Sequence, residues 1–276
     1  LMRPIFNLPG VTSLGAVMTF LSDNPAIISL AKDKRFASYF KKYQFISLTN
    51  FGTAFGMGLL VIVFMASQGY YAAPIIGLIG ACCGCVCSTR LMQRFVLKAY
   101  PQYAVEDAVP KEETEEKEEE HEKTEQTVFI RLLNAMLDGG RSGVDVGIAI
   151  IPGVLIISTF VMMFTFGPAA DGTYNGAAYQ GVELLPWLAN KIDFVFEWLF
   201  GIPGFVSYGW IDGNAIAVFT AIGMCWSGFL STHTAMLDSI GYRDLTPKAI
   251  MAHFCGGLVA AVTAHWMFAL YTLIAG

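Results

Sequence analysis

The chain has 276 residues, of which 55% are hydrophobic and 14% charged, with 21 Phe and a mean hydropathy of +0.54. Soluble domains carry about 25% charged residues, so the composition excludes an ordinary water-soluble globule and reads as an integral membrane protein. The net charge of −5 misleads about partners: residues 105–126 hold 11 of the 22 acidic residues against three Lys, a local −8 that leaves the rest of the chain at +3.

Residues 1–31 mix apolar runs with Pro4, Pro9-Gly10, Gly15 and the Ser22-Asp23-Asn24-Pro25 break. They contain no run of about 20 apolar residues, the length that a spanning helix needs. Two half-helices around a polar tip, a re-entrant hairpin, fit this pattern. Residues 32–44 are basic and amphipathic and read as a segment at the membrane surface. A helix over about 45–66 opens with Ser47, Thr49, Asn50 and Thr53 before turning wholly apolar. A second span runs from about 71 to 88, followed by Arg90, Arg94 and Lys98.

The segment Val105–Gln126 almost lacks large apolar residues, cannot bury a core, and reads as a solvated linker. The chain thus divides into a first half over 1–99, a charged linker over 100–127 and a second half over 128–276. The second half begins with an amphipathic stretch, Val128–Leu137, and a Gly-rich lead-in, Asp138–Asp145. A third span follows over about 146–166. Leu184–Phe200 sets Trp187, Phe194 and Trp198 among Lys191, Asp193 and Glu197, an interfacial helix with aromatic anchors. Next come a second hairpin over about 213–241 and a last span over about 250–275.

Of the 17 Lys and Arg, 13 lie in 32–42, 90–98, 111–123 and 131–141. The positive-inside rule puts all four segments, and with them the acidic linker, on the cytoplasmic side. Arg243 and Lys248 then fall outside, unless 213–239 crosses fully. Two stretches look alike: Phe20-Leu21-Ser22-Asp23-Asn24-Pro25-Ala26-Ile27 and Phe229-Leu230-Ser231-Thr232-His233-Thr234-Ala235-Met236. Each follows a Pro-Gly pair and precedes an apolar helix. Inverted repeats with broken helices meeting at the midplane are a transporter signature. The expected fold is all-α and membrane-integral, an inverted repeat of re-entrant helical hairpins and transmembrane helices.

Asp138–Met163, with its Gly-rich lead-in to a long apolar helix, resembles the matching segment of concentrative nucleoside transporters. Leu184–Gly204 is similar to that family's interfacial helix before its second hairpin. Leu1–Gly10 resembles bacterial membrane proteins with a nucleoside-recognition, or Gate, domain, a wider family that includes ferrous-iron transporter segments and sporulation membrane proteins. The resemblance implies solute bound between two hairpin tips: Ser22, Asp23 and Asn24 in the first, Ser231, Thr232, His233 and Thr234 in the second. Thr49, Asn50 and Thr53 stand behind them. Neither the Gln/Glu pair of that family's first hairpin nor the Asn-Glu-Phe of its second is present.

Half-helix ends expose unsatisfied N–H groups that favour anionic or acceptor groups, and hydroxyl and amide side chains add directional bonds. The same residues could instead satisfy one another and the broken backbone. Asp23 and Asp238 are candidates for coupling to Na+ or H+, since intramembrane carboxylates commonly carry ions. His233, His253 and His265 cannot all serve one ion from one helix, but a His233–His253 pair across elements is open to the fold. Cys82, Cys83, Cys85 and Cys87 allow soft-metal binding at i, i+3 and i, i+4 spacing, with close helix packing as the plainer reading. No HExxH, GxSxG or Walker motif and no basic-aromatic array occurs, so neither an enzyme nor a nucleic-acid binder is expected. The expected partners are the lipid bilayer, a small polar solute, and a second copy or another membrane subunit. The expected location is the bacterial inner membrane. The function read from this is transport by alternating access, with a membrane scaffold and a metal permease as alternatives.

Overall fold

The computed structural model describes residues 2–22, 26–54, 56–109, 127–164, 166–168, 171–176, 180–182, 184–200, 213–226 and 229–275. Within them the fold is all-helical. Eleven α-helices carry it: α1 (Thr12–Leu21), α2 (Ala26–Ala31), α3 (Lys34–Ala37), α4 (Lys42–Gly52), α5 (Gly58–Ser67), α6 (Ala72–Ala99), α7 (Val128–Met163), α8 (Leu184–Phe200), α9 (Gly213–Trp226), α10 (Phe229–Ser239) and α11 (Thr246–Ala275). Among the described residues two helical stretches, Ala72–Ala99 and Arg243–Ala275, are long and apolar enough to cross a membrane.

Local chemistry sets several boundaries. Pro74 sits in the first turn of α6, where its missing N–H is no loss, and the helix ends before Pro101. Asp33 caps α3 by accepting from the Arg35 and Phe36 backbone N–H groups at 2.8 and 3.4 Å. At the start of α4 the Gln44 side chain accepts the Lys41 N–H at 3.1 Å.

The helix expected over 45–66 is two helices. Thr53 turns its hydroxyl back onto the Thr49 and Asn50 carbonyls at 3.0 and 3.3 Å, and Met57 adopts a left-handed φ of 57° before α5 resumes. The Gly-rich lead-in at 138–145 is helical and continuous with the stretches on either side of it. Each glycine costs a helix about 1 kcal/mol relative to Ala, and the single 36-residue α7 absorbs that. The helix expected over Leu184–Phe200 forms over those residues. At the root of the acidic segment, in partly exposed ion pairs, Lys41 Nζ meets Asp107 at 2.7 Å and Lys42 Nζ meets Glu106 at 2.6 Å.

The centre is a seam of small residues between α6 and α11. Gly80 lies against Ala260 and Ala264, Gly84 against Gly256 and Ala260, and Gly256 against Gly84 and Ser88. Rising numbers on α6 meet falling numbers on α11, so the two helices are antiparallel. Such small-residue faces let backbones approach and gain dispersion contacts where hydrophobic expulsion is weak.

The two broken helices flank this seam in opposite senses. Ser47, Asn50 and Phe51 of α4 pair with Gln93, Ser88 and Cys85 of α6, and Val61, Ile62 and Met65 of α5 pack beside Ala73 and Ile76. The α4–α5 pair therefore runs antiparallel to α6 along its length. On the other side Gly213 faces Phe268, Trp226 faces Gly257, and Leu237 packs with Leu245, Ala249 and Ala252. The α9–α10 pair thus runs antiparallel to α11.

That last finding corrects the expected second hairpin. From α9 to α10 the chain keeps its direction, so 213–239 passes the full depth of the bundle and does not re-enter. The physical reason is that apolar positions on α9 and α10 alike, Ile216 to Leu237, bury against one continuous partner. Tyr100 of the α6 end donates its hydroxyl to Asp244 at 2.7 Å, which puts Arg243 and Lys248 at the same end as Arg90, Arg94 and Lys98. The first hairpin does reverse: Gly15 of α1 packs on Ile27 and Leu30 of α2. The two Phe-Leu-Ser stretches are accordingly not equivalent, since the first ends α1 and the second starts α10.

A buried polar junction as the candidate functional site

The ends of α4 and α9, the start of α10 and the middles of α6 and α11 meet inside the bundle. Thr49 and Asn50 from α4, Thr53 just past its end, Ser88 and Thr89 from α6, Thr232 and His233 from α10, and His253 from α11 are all buried there. The His233 and His253 rings stand 4.9 Å apart, edge to face. Thr49 Oγ1 bonds His233 Nδ1 at 2.7 Å.

Donor and acceptor chemistry gives the rest of the junction a direction. His253 Nε2 bonds the Cys225 carbonyl near the C-terminal end of α9. A carbonyl only accepts, so Nε2 carries the proton and Nδ1 of the neutral ring accepts. Facing Nδ1 are the Thr53 hydroxyl at 3.0 Å and the Ser88 hydroxyl at 3.4 Å. Asn50 Nδ2 donates to Ser88 Oγ and to the Ala249 carbonyl, both at 2.9 Å. The chain Asn50, Ser88, His253, Cys225 O links four helices without a charged group.

Asn50 has a second polar atom, which stands outside this network. Asn50 Oδ1 is buried without a hydrogen-bond partner among the described residues. Leaving such an acceptor unmet costs about 1–3 kcal/mol, which makes it the point where a ligand donor would gain most.

Other expected site residues lie elsewhere. Ser22 is exposed and donates to the Met18 carbonyl at 2.6 Å. Asp23 and Asn24 lie outside the described residues, as does the side chain of Ser231. Thr234 donates back to the Leu230 carbonyl at 2.9 Å. Asp238 is exposed and 3.9 Å from Arg243, an outward ion pair one turn past the junction. His265 stands against Trp266 on the outer part of α11 and does not join the histidine pair.

The cysteines diverge around α6. Cys83 is exposed, Cys82 and Cys87 are partly buried, and Cys85 faces α4, its thiol 3.6 Å from the Phe51 carbonyl. Among the described residues no three His, Cys, Asp or Glu side chains converge as a metal site would require. Ser88 and His253 were absent from the expected binding set. Ser88 could have been placed by its position four residues from Gly84 on the small-residue face. No family model, curated protein or solved structure matches the chain.

Proposed function

We propose that this chain is a multi-pass membrane protein that moves a small polar solute, nucleoside-like in its hydrogen-bonding chemistry, by alternating access through the polar junction. The observation that carries the reading is a buried, uncharged array of hydroxyl, amide and imidazole groups at the meeting point of two broken helices. Transporters place their sites at such breaks, because only irregular backbone at membrane depth offers polar groups to a solute. Among the described residues the groups of the junction are buried. Asn50 Oδ1 is the natural acceptor for a solute N–H or O–H, with Thr49, Thr53, His233 and Thr232 around it.

In this reading α4–α5 with α6, and α9–α10 with α11, are two inverted units, and the basic ends face the cytoplasm of a bacterial cell. The reading rests on the junction and not on the Gate-domain resemblance, whose second re-entrant hairpin α9–α10 does not form. Either Na+ or H+ could couple the transport. One observation favours a second reading, a scaffold that keeps the fold without moving solute: apart from Asn50 Oδ1, the bonded groups of the junction largely satisfy one another.

The test is uptake into proteoliposomes of labelled nucleosides, nucleobases and amino acids, under Na+ and proton gradients. Uptake of at least one class should fall more than tenfold in Asn50→Ala and in His233→Ala. Uptake left intact by both variants sinks the junction as the site. No uptake of any class by the wild-type chain gives the scaffold reading the field.

A further inference from the structure

A groove of about 600 Å³ opens between the turn Met2–Phe6, α1 and the outer face of α6. Its twelve lining residues, among them Met2, Val17, Leu21, Ile79, Cys83 and Val86, are all aliphatic, aromatic or sulfur-bearing. Nothing in it can orient a polar solute, so it belongs to a different chemistry from the junction. Its size is that of a ligand pocket rather than a packing defect.

Position gives the groove a polarity. Phe6 is fixed at the basic end of α6, where Gln93 Nε2 donates to its carbonyl at 2.9 Å and Asn7 bonds Tyr43 at 2.9 Å. Leu78 and Ile79 line the other end of its α6 wall, so the groove runs about 12 Å along α6 at 1.5 Å per residue from Val86 to Leu78. Ile79, Cys83 and Val86 fall on one helical stripe, and the next residue of that stripe is Arg90. Arg90 is exposed, and so is Arg3, which sits in the turn between the lining residues Met2 and Ile5. Neither arginine has an ion-pair partner among the described residues.

We infer that this groove holds one acyl chain of an anionic phospholipid, with Arg3 and Arg90 meeting the headgroup phosphate. An extended apolar slot takes a hydrocarbon chain and offers nothing to a polar one. Two exposed guanidinium groups beside it, without an ion-pair partner among the described residues, complement a phosphate, which guanidinium binds by paired N–H donors. The basic end is also where the anionic leaflet lies when it faces the cytoplasm. The inference rests on the membrane reading given above, but not on transport.

The probe is phosphatidylglycerol with a diazirine in the middle of one acyl chain, added to the detergent-purified full chain and photolysed, with adducts mapped by peptide mass. Adducts should concentrate in 16–21 and 78–86. Excess phosphatidylglycerol should compete for them better than phosphatidylcholine, and Arg3→Ala or Arg90→Ala should each lower that preference about fivefold. Cys83→Trp, which fills the slot from an exposed position, should abolish the adducts, and circular dichroism checks that it folds. Adducts spread over the apolar face of α7, or kept in Cys83→Trp, overturn the groove as a lipid site. Equal competition by both lipids overturns the role of the arginines. If Cys83→Trp changes the oligomeric mass rather than lipid binding, a second copy occupies the groove and the inference is wrong. Carbonate extraction of expressing membranes reads the membrane assignment separately: a chain released into the supernatant fails that reading, whereas a retained chain without groove adducts fails only this one.

Discussion

Replacing Gly256 by Ala tests whether the α6–α11 seam is built on backbone contact. A Cβ at Gly256 would lie 2.6 Å from the Gly84 carbonyl oxygen and 2.7 Å from Ser88 Cβ, and neither is the end of a flexible side chain. Real Cβ contacts essentially never fall under 3.0 Å, so the helices must part by at least 0.4 Å, the difference between 3.0 and 2.6. Overpacking of this kind costs typically about 1–3 kcal/mol. Removing a glycine from a helix returns about 1 kcal/mol, leaving a net loss of about 1 kcal/mol. Gly139 supplies the control, since it is helical with nothing within 4 Å of its Cβ position. Gly139→Ala should gain the propensity term alone. At about 2–4 °C per kcal/mol for a chain of this size, the Gly256 variant should melt about 4–8 °C below the Gly139 variant. Intrinsic fluorescence on heating in mild detergent reads both. Equal shifts of the two variants would refute the seam.

Asn50 and Ser88 should behave as one unit. Their single Ala variants and the double variant should give a coupling energy of about 0.5–3 kcal/mol in a thermal cycle, and additive losses would separate them. A cysteine introduced at Arg243 or Lys248 should react with an impermeant maleimide from the same side of the membrane as one at Lys98. Opposite sidedness would reject the full crossing of α9–α10. The bond to Asp244 holds the Tyr100 phenol above its usual value of 10.0. Its stabilising effect is therefore complete below pH 10 and is lost as the pH rises through the raised folded value. Tyr100→Phe should lack that alkaline step in a phenolate absorbance titration, and an unchanged titration would reject the assignment.

What the residues disclosed in advance depended on scale. Composition and the long apolar runs pointed to helices, and Leu184–Phe200 could be bounded because charged and aromatic residues alternate there. The polar set Thr49, Asn50, Thr53 and His233 stood out since hydroxyl, amide and imidazole groups are costly inside an apolar body. Which of them meet was not legible: Asn50 bonds the Ala249 carbonyl 199 residues away, and His253 bonds Thr53 200 residues away. The break between α4 and α5 was hidden because Thr53–Met57 carries no proline and reads as continuous helix. The likeness of Phe20–Ile27 to Phe229–Met236 misled for a related reason. A short string records composition but not whether a helix is ending or beginning, and here it does one in each half.

The seam between α6 and α11 has a mechanical side. Sliding between helices usually proceeds by side chains switching rotamers across their contact. Where glycine backbone lies against carbonyl oxygen there is no rotamer to switch, and any shift along the axis must first lift one helix off the other. The pair is therefore a stiff keel. Displacement has to be taken up on its flanks, as at Thr53 and Met57, where the hydroxyl of one and the left-handed φ of the other already interrupt the helix.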